Sequence, residues 1–273
     1  MKRLALSFVL GTVLACSPAA PPTTPDAGAL PSATPPVAPS AAKRPGKDVT
    51  FPSSAGTAMG YLVEPAAGSA KHPALVVIQE WWGLNDWMRD NAERFAKKGY
   101  VVLAIDLYRG HATKSPDEAH ELMRGLPEDR ALADMKAAVD YLVARPDVDA
   151  ARVGSVGWCM GGGYSLTLAV SEPRLRAAVI NYGRLVTDPA AISGVKASLL
   201  GNFAGEDRGI PVADVRAFEG AMKGAGKNVD IKVYDGAGHA FMNPNNEKGF
   251  DAKAAEDAWA RIDTFFGKEL GAP

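Results

Sequence analysis

One hexapeptide limits what this chain can become. Gly157-Trp158-Cys159-Met160-Gly161-Gly162 follows the short run Arg152 to Val156 and precedes a helix-like stretch from Tyr164 to Val170. A strand that turns at once into a helix strains its corner residue, and only small flanking residues let the backbone close. Gly157 and Gly161 meet that need. The pattern predicts a sharp corner that shows the Cys159 thiol at the carboxyl edge of a sheet. It also places the sulfur at a helix N-terminus, where N–H groups and the helix dipole favour a thiolate. A buried, inert cysteine gains nothing from such a setting.

The segments around the corner predict the sheet. Ala74 to Ile78 and Val101 to Ile105 are continuous apolar runs, the pattern of strands buried on both faces. Val49 to Phe51 and Met59 to Val63 read as short edge strands. Arg152 to Val156 feeds the corner, and Leu175 to Ile180, Ala197 to Asn202 and Val229 to Tyr234 read as three more strands. Helical spacing covers Asp86 to Lys98, Pro116 to Met123, Glu128 to Ala144, Val212 to Lys223 and Ala252 to Phe266. Strands that alternate with helices imply an α/β fold, a largely parallel central sheet with helices on both faces and right-handed crossovers. Residues 48–273 are a reasonable length for one such domain.

The N-terminus follows other rules. Lys2 and Arg3 precede an uncharged run, Leu4 to Ala15, too short to span a bilayer but suited to a signal-peptide core. The run ends in Val13-Leu14-Ala15-Cys16, which looks like a bacterial lipobox. Residues 1–15 are then a signal peptide, and a lipid on Cys16 anchors an exported, periplasm-facing protein to a membrane surface. A plain signal peptide cleaved near Ala15 or Ala20 is the alternative. Residues 17 to 47 hold nine Pro and eight Ala with no aromatic residue. Such a stretch buries too little apolar surface to offset its ordering entropy, so 16–47 reads as a tether, reaching on the order of 90 Å if polyproline-like. The 273 residues are 22% charged with net charge -1, so there is no basic excess for nucleic acid.

Cysteine usage sharpens the corner. Exported chains usually pair their cysteines, yet this one has only two. With Cys16 lipidated, Cys159 is alone, which reads better as chemistry than as packing. A thiol nucleophile needs a base, and the base needs a third group to hold its tautomer. The one histidine after Cys159 is His239, in the glycine-rich loop Asp235-Gly-Ala-Gly-His-Ala-Phe241 just past a predicted strand. The acid candidate is Asp207 in Gly205-Glu-Asp207-Arg-Gly, with its neighbour Glu206 as the other option.

The chain resembles the dienelactone hydrolase family of α/β-hydrolases over nearly all of residues 48–273. The resemblance is carried by Val77-Ile-Gln-Glu80-Trp-Trp-Gly83-Leu-Asn, by Ala92-Glu-Arg-Phe-Ala-Lys-Lys-Gly-Tyr100 with Ile105-Asp-Leu-Tyr108, by the Cys159 hexapeptide, by Gly205-Glu-Asp207 and by Gly238-His239-Ala-Phe241. It implies hydrolysis of a small ester or lactone by a Cys159–His239–Asp207 triad without metal or organic cofactor. It also implies that an acidic residue, here Glu80, contacts the nucleophile, where its negative charge opposes a resting thiolate. A strand-end carboxylate paired with an arginine is the plainer reading of Glu80. The oxyanion donors expected are the N–H groups of Met160 and Trp81.

The pocket is expected to draw on Arg109, Tyr108, Trp82 and Phe241, with Trp81 and Trp82 equally able to be core. Dienelactone hydrolases hold a substrate carboxylate with two arginines, one shortly after Asp-Leu-Tyr and one soon after the catalytic histidine. Arg109 fits the first, but the chain continues from His239 as Ala240-Phe-Met-Asn243 with no arginine. A non-catalytic ligand-binding lipoprotein is the competing reading. A thiol redox protein is disfavoured by the lack of a C-x-x-C pair, and a metal hydrolase by the lack of ligand spacing among His72, His111, His120 and His239.

Overall fold

The computed structural model describes residues 44–66 and 71–271. The expected signal peptide, the Cys16 lipidation site and all but the end of the expected tether lie outside these residues. Eight strands form one sheet: β1 (Lys47–Ser53), β2 (Gly56–Val63), β3 (His72–Ile78), β4 (Val101–Asp106), β5 (Val148–Trp158), β6 (Ala177–Asn181), β7 (Ser198–Ala204) and β8 (Val229–Tyr234). Their order is β1-β2-β4-β3-β5-β6-β7-β8. At one edge β1 pairs antiparallel with β2 and β2 antiparallel with β4, and the remaining pairings are parallel.

Parallel strands need both faces covered, and the apolar runs supply both. Along β3, Ala74, Val76 and Ile78 enter one core while Leu75 and Val77 enter the other. The first core is closed by α3 (Glu128–Val143), α4 (Met160–Ser171), α5 (Pro189–Gly194) and α6 (Val212–Gly224), the second by α1 (Asp86–Ala96) and α7 (Ala252–Leu270). α2 (Pro116–Arg124) lies outside, with only Ala119 buried. The helices start where side chains can accept the free N–H groups of a first turn. Asn85 accepts from Met88 at 3.1 Å and Asp251 from Ala254 at 2.9 Å, each worth about 1 kcal/mol.

Two expectations are corrected. The tether does not run to residue 47: Lys47 already pairs with Leu62, and Arg44 donates to Asp86, Asp90 and Glu93 on α1. α5 is absent from the sequence reading because a six-residue helix has too few turns to show a period. It starts on Pro189, where Asp188 accepts from the Ala191 N–H.

The order of strands places the site. From β3 the chain steps outward to β4, then returns to β5 on the other side of β3. Ligands bind at such a reversal, beyond the carboxyl ends of the strands. Ile78 pairs with Gly157 there, so Glu80 and Cys159 both lie two residues past paired positions.

Candidate active site

Cys159 occupies the corner between β5 and α4 with φ 54 and ψ -119. That conformation is costly for a residue with a side chain, about 1–3 kcal/mol, and persists only where the surroundings impose it. Here they do. A Cβ on Gly157 would stand 1.9 Å from the Gly161 carbonyl oxygen, and one on Gly161 would stand 2.3 Å from the Ile78 oxygen. The glycines allow α4 to start directly against the end of β3. The Cys159 N–H donates to the Asn181 carbonyl at 3.0 Å, and the Ser155 and Ser165 hydroxyls pair at 2.8 Å to fasten β5 to α4.

His239 and Asp207 arrive from the ends of β8 and β7. The His239 Nδ1 lies 2.6 Å from Asp207 Oδ2, while Asp207 Oδ1 accepts from the Gly209 and Ile210 N–H groups at 2.8 and 3.2 Å. Burial works against a charged Asp207, but the contact with His239 and the two N–H donors hold its carboxyl below the usual range. Glu206, the other acid considered, is exposed. Burial also disfavours the His239 cation, yet hydrogen bonding and charge from Asp207 and Cys159 push its pKa up to about 10. The imidazole thus stands between an acid that orients it and the sulfur at the corner.

Glu80 sits beside them, 1% exposed. Its Oε2 accepts from Asn243 Nδ2 at 2.7 Å. Oε1 and the buried Tyr182 hydroxyl each lack a partner in hydrogen-bond geometry among the described residues. Burial raises the Glu80 carboxyl to about 7, opposed by Asn243, by the charge of His239 and by the Tyr182 hydroxyl. Among the described residues no arginine pairs with it, so the plainer reading of Glu80 gives way to a carboxyl capped by a neutral amide. Tyr182 was not singled out in the sequence, although it follows β6 at the level of Cys159. It has φ 38, and its ring lies 5.3 Å from that of His239 and 5.4 Å from that of Phe241. Of the four non-glycine residues with positive φ among the described residues, Cys159, Tyr182 and Ala240 border this cluster.

The Met160 and Trp81 N–H groups have no acceptor among the described residues, as oxyanion donors require. The Trp81 loop is held by the Thr113 N–H on the Trp82 carbonyl at 2.9 Å. Trp81 and Trp82 are half-buried, with ring centroids 4.7 Å apart and planes tilted by 60°, and His120 meets Trp81 edge-on at 5.4 Å. They are a partly open wall and not core. The Tyr108 hydroxyl meets Met160 Sδ at 3.2 Å, which brings Tyr108 to the elbow.

Two expected pocket residues lie elsewhere. Arg109 donates to both oxygens of Asp134 at 3.2 and 3.1 Å and to the Ala55 carbonyl at 2.9 Å. Asp134 is 1% exposed, so the guanidinium neutralises a buried carboxylate instead of facing a substrate. Phe241 is fully buried between Tyr182 and Tyr234 and packs the histidine loop from below. Among the described residues no group of three His, Cys, Asp or Glu gathers in a way that could hold a metal, and no helix is long and apolar enough to cross a membrane.

The sequence profile of the dienelactone hydrolase family matches residues 58–270, nearly the whole described fold. The chain belongs to this family. A Methylorubrum extorquens AM1 protein, named provisionally as a carboxymethylenebutenolidase, is 32% identical over 279 residues, covering 96% of this chain and 90% of its own. Protein usf of Aquifex pyrophilus is 32% identical over 232 residues, 82% of this chain and 99% of its own. A crystal structure from Klebsiella pneumoniae, named provisionally as a dienelactone hydrolase, superposes with a TM-score of 0.75 at 28% identity over 82% of this chain and 98% of its own. The architecture is that of the α/β-hydrolases, as the alternation of strands and helices predicts.

Proposed function

We propose that the chain is a hydrolase of small esters or lactones that works through a Cys159–His239–Asp207 triad. The observation that carries the reading is the 2.6 Å contact of His239 with buried Asp207, at the same sheet edge where Cys159 occupies a strained elbow. Family membership and the carboxymethylenebutenolidase-named relative support the reaction class.

Each proposed step has a residue placed to perform it. The Cys159 thiol gives its proton to His239 and its sulfur attacks the carbonyl carbon, whose C=O π electrons move onto an oxygen held by the Met160 and Trp81 N–H groups. As that oxygen collapses back to a carbonyl, the ester C–O bond breaks. The imidazolium of His239 gives its proton to the departing alkoxide, leaving a thioester and an alcohol. Neutral His239 then takes a proton from water, whose oxygen attacks the thioester. The C–S bond then breaks, the acid departs, and the proton on His239 passes back to the sulfur, which restores the resting pair. Asp207 holds the ring and balances its charge throughout.

Glu80 is the proposed restraint. Its carboxyl, buried beside the site, opposes a resting thiolate when ionised, a useful property for a lone thiol in an oxidising compartment. The two-arginine clamp is not assembled, because Arg109 is held by Asp134 and Asn243 stands in the stretch after His239. The substrate proposed is therefore an ester or lactone that does not depend on that clamp. Export and a lipid on Cys16 complete the proposal and set the enzyme at a membrane surface.

A panel of small esters and lactones, assayed with the wild-type protein, Cys159→Ala and His239→Ala, tests the chemistry. Turnover by the wild type that is lost in both variants is expected, and turnover that survives Cys159→Ala refutes the nucleophile. Absence of turnover on every ester would favour a binding protein. Cys16→Ser is expected to release the protein from membranes, and unchanged association refutes the anchor.

A further inference from the structure

The strain at Cys159 needs a counterpart that holds it, and the neighbouring strands carry one. Trp158, Asn181 and Asn202 are laterally paired across β5, β6 and β7, one residue before the elbow. Both asparagines are fully buried, an expensive place for two carboxamides unless their polar atoms are paired. They are. Asn181 Nδ2 donates to the Gly157 carbonyl at 3.1 Å, and Asn202 Nδ2 donates to Asn181 Oδ1 at 2.8 Å. Asn202 Oδ1 in turn accepts from Arg261 Nη1 on α7, whose guanidinium also reaches the Gly201 carbonyl and Asp230.

The backbone of the same residues completes the frame. The Asn181 carbonyl takes the Cys159 N–H, and the Asn202 carbonyl takes the N–H of strained Tyr182 at 2.7 Å. Asn181 therefore grips the chain on both sides of Trp158, through its side chain at Gly157 and its main chain at Cys159. Neither contact touches a substrate.

We propose that Asn181, Asn202 and Arg261 are a positioning relay that fixes the nucleophile elbow, with Arg261 setting the direction of both amides. The direction follows from donors and acceptors. A guanidinium only donates, so Asn202 must turn Oδ1 to Arg261 and Nδ2 to Asn181. That leaves Oδ1 of Asn181 as the acceptor and points its Nδ2 at Gly157. The relay rests on the reading of Cys159 as the nucleophile and extends it to residues on three other elements.

Asn202→Asp is the informative variant. It preserves shape and the pairing with Arg261 but turns an acceptor toward Asn181. Asn181 must then lose either that contact or the one to Gly157. Arg261→Met removes the orienting cation from the opposite end and serves if the first variant does not fold. Two measurements apply to both variants: kcat and KM on the best ester, and the rate at which iodoacetamide alkylates Cys159 at neutral pH, followed by peptide mass spectrometry.

Displacing reacting groups by about 1 Å costs roughly a hundredfold in rate. The relay predicts kcat down by ten- to a hundredfold on the order of that effect, with KM within about threefold and alkylation slowed in parallel. A merely structural role lowers the melting temperature and leaves both rates alone. Folded variants whose alkylation rate equals or exceeds the wild-type value overturn the relay. If the wild type turns over no ester, the proposed activity fails on that result, and the alkylation rates still decide the relay.

Discussion

Gly161→Ala is the most demanding test of the elbow. The added Cβ would lie 2.3 Å from the Ile78 oxygen, 2.4 Å from the Gln79 oxygen and 2.7 Å from the Ile78 carbonyl carbon. Ordinary carbon–oxygen contacts begin nearer ~3.4 Å, so β3 and α4 must part by about 1 Å. The motion separates the Trp81 loop from the Met160 N–H, the two expected oxyanion donors. A misplacement of that size costs about a hundredfold, or about 2.7 kcal/mol of transition-state stabilisation, beside an overpacking penalty of about 1–3 kcal/mol in stability. Thermal unfolding and kcat/KM on the same ester separate the two effects. Gly267→Ala is the control, because a Cβ at that site in α7 meets nothing within 4 Å, and Ala for Gly in a helix gains about 0.4–1 kcal/mol. If Gly161→Ala keeps kcat/KM within a few-fold of wild type while folded, the close approach of β3 to the elbow does not set the catalytic geometry.

Asp207→Asn should lower kcat by on the order of 10⁴ with little change in KM, since the ring loses the acceptor that sets its tautomer; stopped assays across pH check it. The same variant should bring the His239 titration down from about 10, seen by NMR of the ring. His239 is raised from its unfolded value, so the stability it contributes is full below about pH 6.5 and fades as pH rises through about 10; solvent at its 40% exposed side chain weakens it. Glu80, with its carboxyl raised from 4.5 to about 7, has the opposite consequence. The folded state holds the extra proton, so wild-type stability falls between about pH 4.5 and pH 7. Glu80→Gln should remove that fall, a difference of about 3 kcal/mol above pH 7, and should speed alkylation of Cys159. Chemical denaturation at several pH values decides it; a parallel pH profile in both proteins refutes it. Arg109→Met should leave KM unchanged but cost roughly 3 kcal/mol of stability through the stranded Asp134, read from denaturant midpoints; a raised KM would return Arg109 to the pocket.

The fold was legible where burial on both sides of a strand forces an unbroken apolar run. β3 and β4 fall within two residues of their expected ends because nothing polar is tolerated between Ala74 and Ile78 or between Val101 and Ile105. Cys159, Asp207 and His239 were legible because glycines and strand ends mark the places where a side chain can leave the sheet edge. Arg109 and Phe241 were misplaced for a different reason. A loop position next to a motif says nothing about which partner lies across the chain, and the Asp134 that captures Arg109 is 25 residues away. Asn181 and Asn202 gave no signal of their own. An asparagine ending an apolar strand looks like the start of a turn, and only the lateral register shows that two of them stand side by side.

The backbone at Cys159 also restricts which atoms natural variation can try. With φ at 54, a β-branched side chain is excluded, so threonine and valine are barred on steric grounds. Serine is not. Exchange of sulfur for oxygen at this corner is one substitution that leaves all the surrounding glycines in place, and an unbranched aspartate meets the same backbone. The corner thus constrains the shape of the side chain it carries more tightly than the identity of its terminal atom.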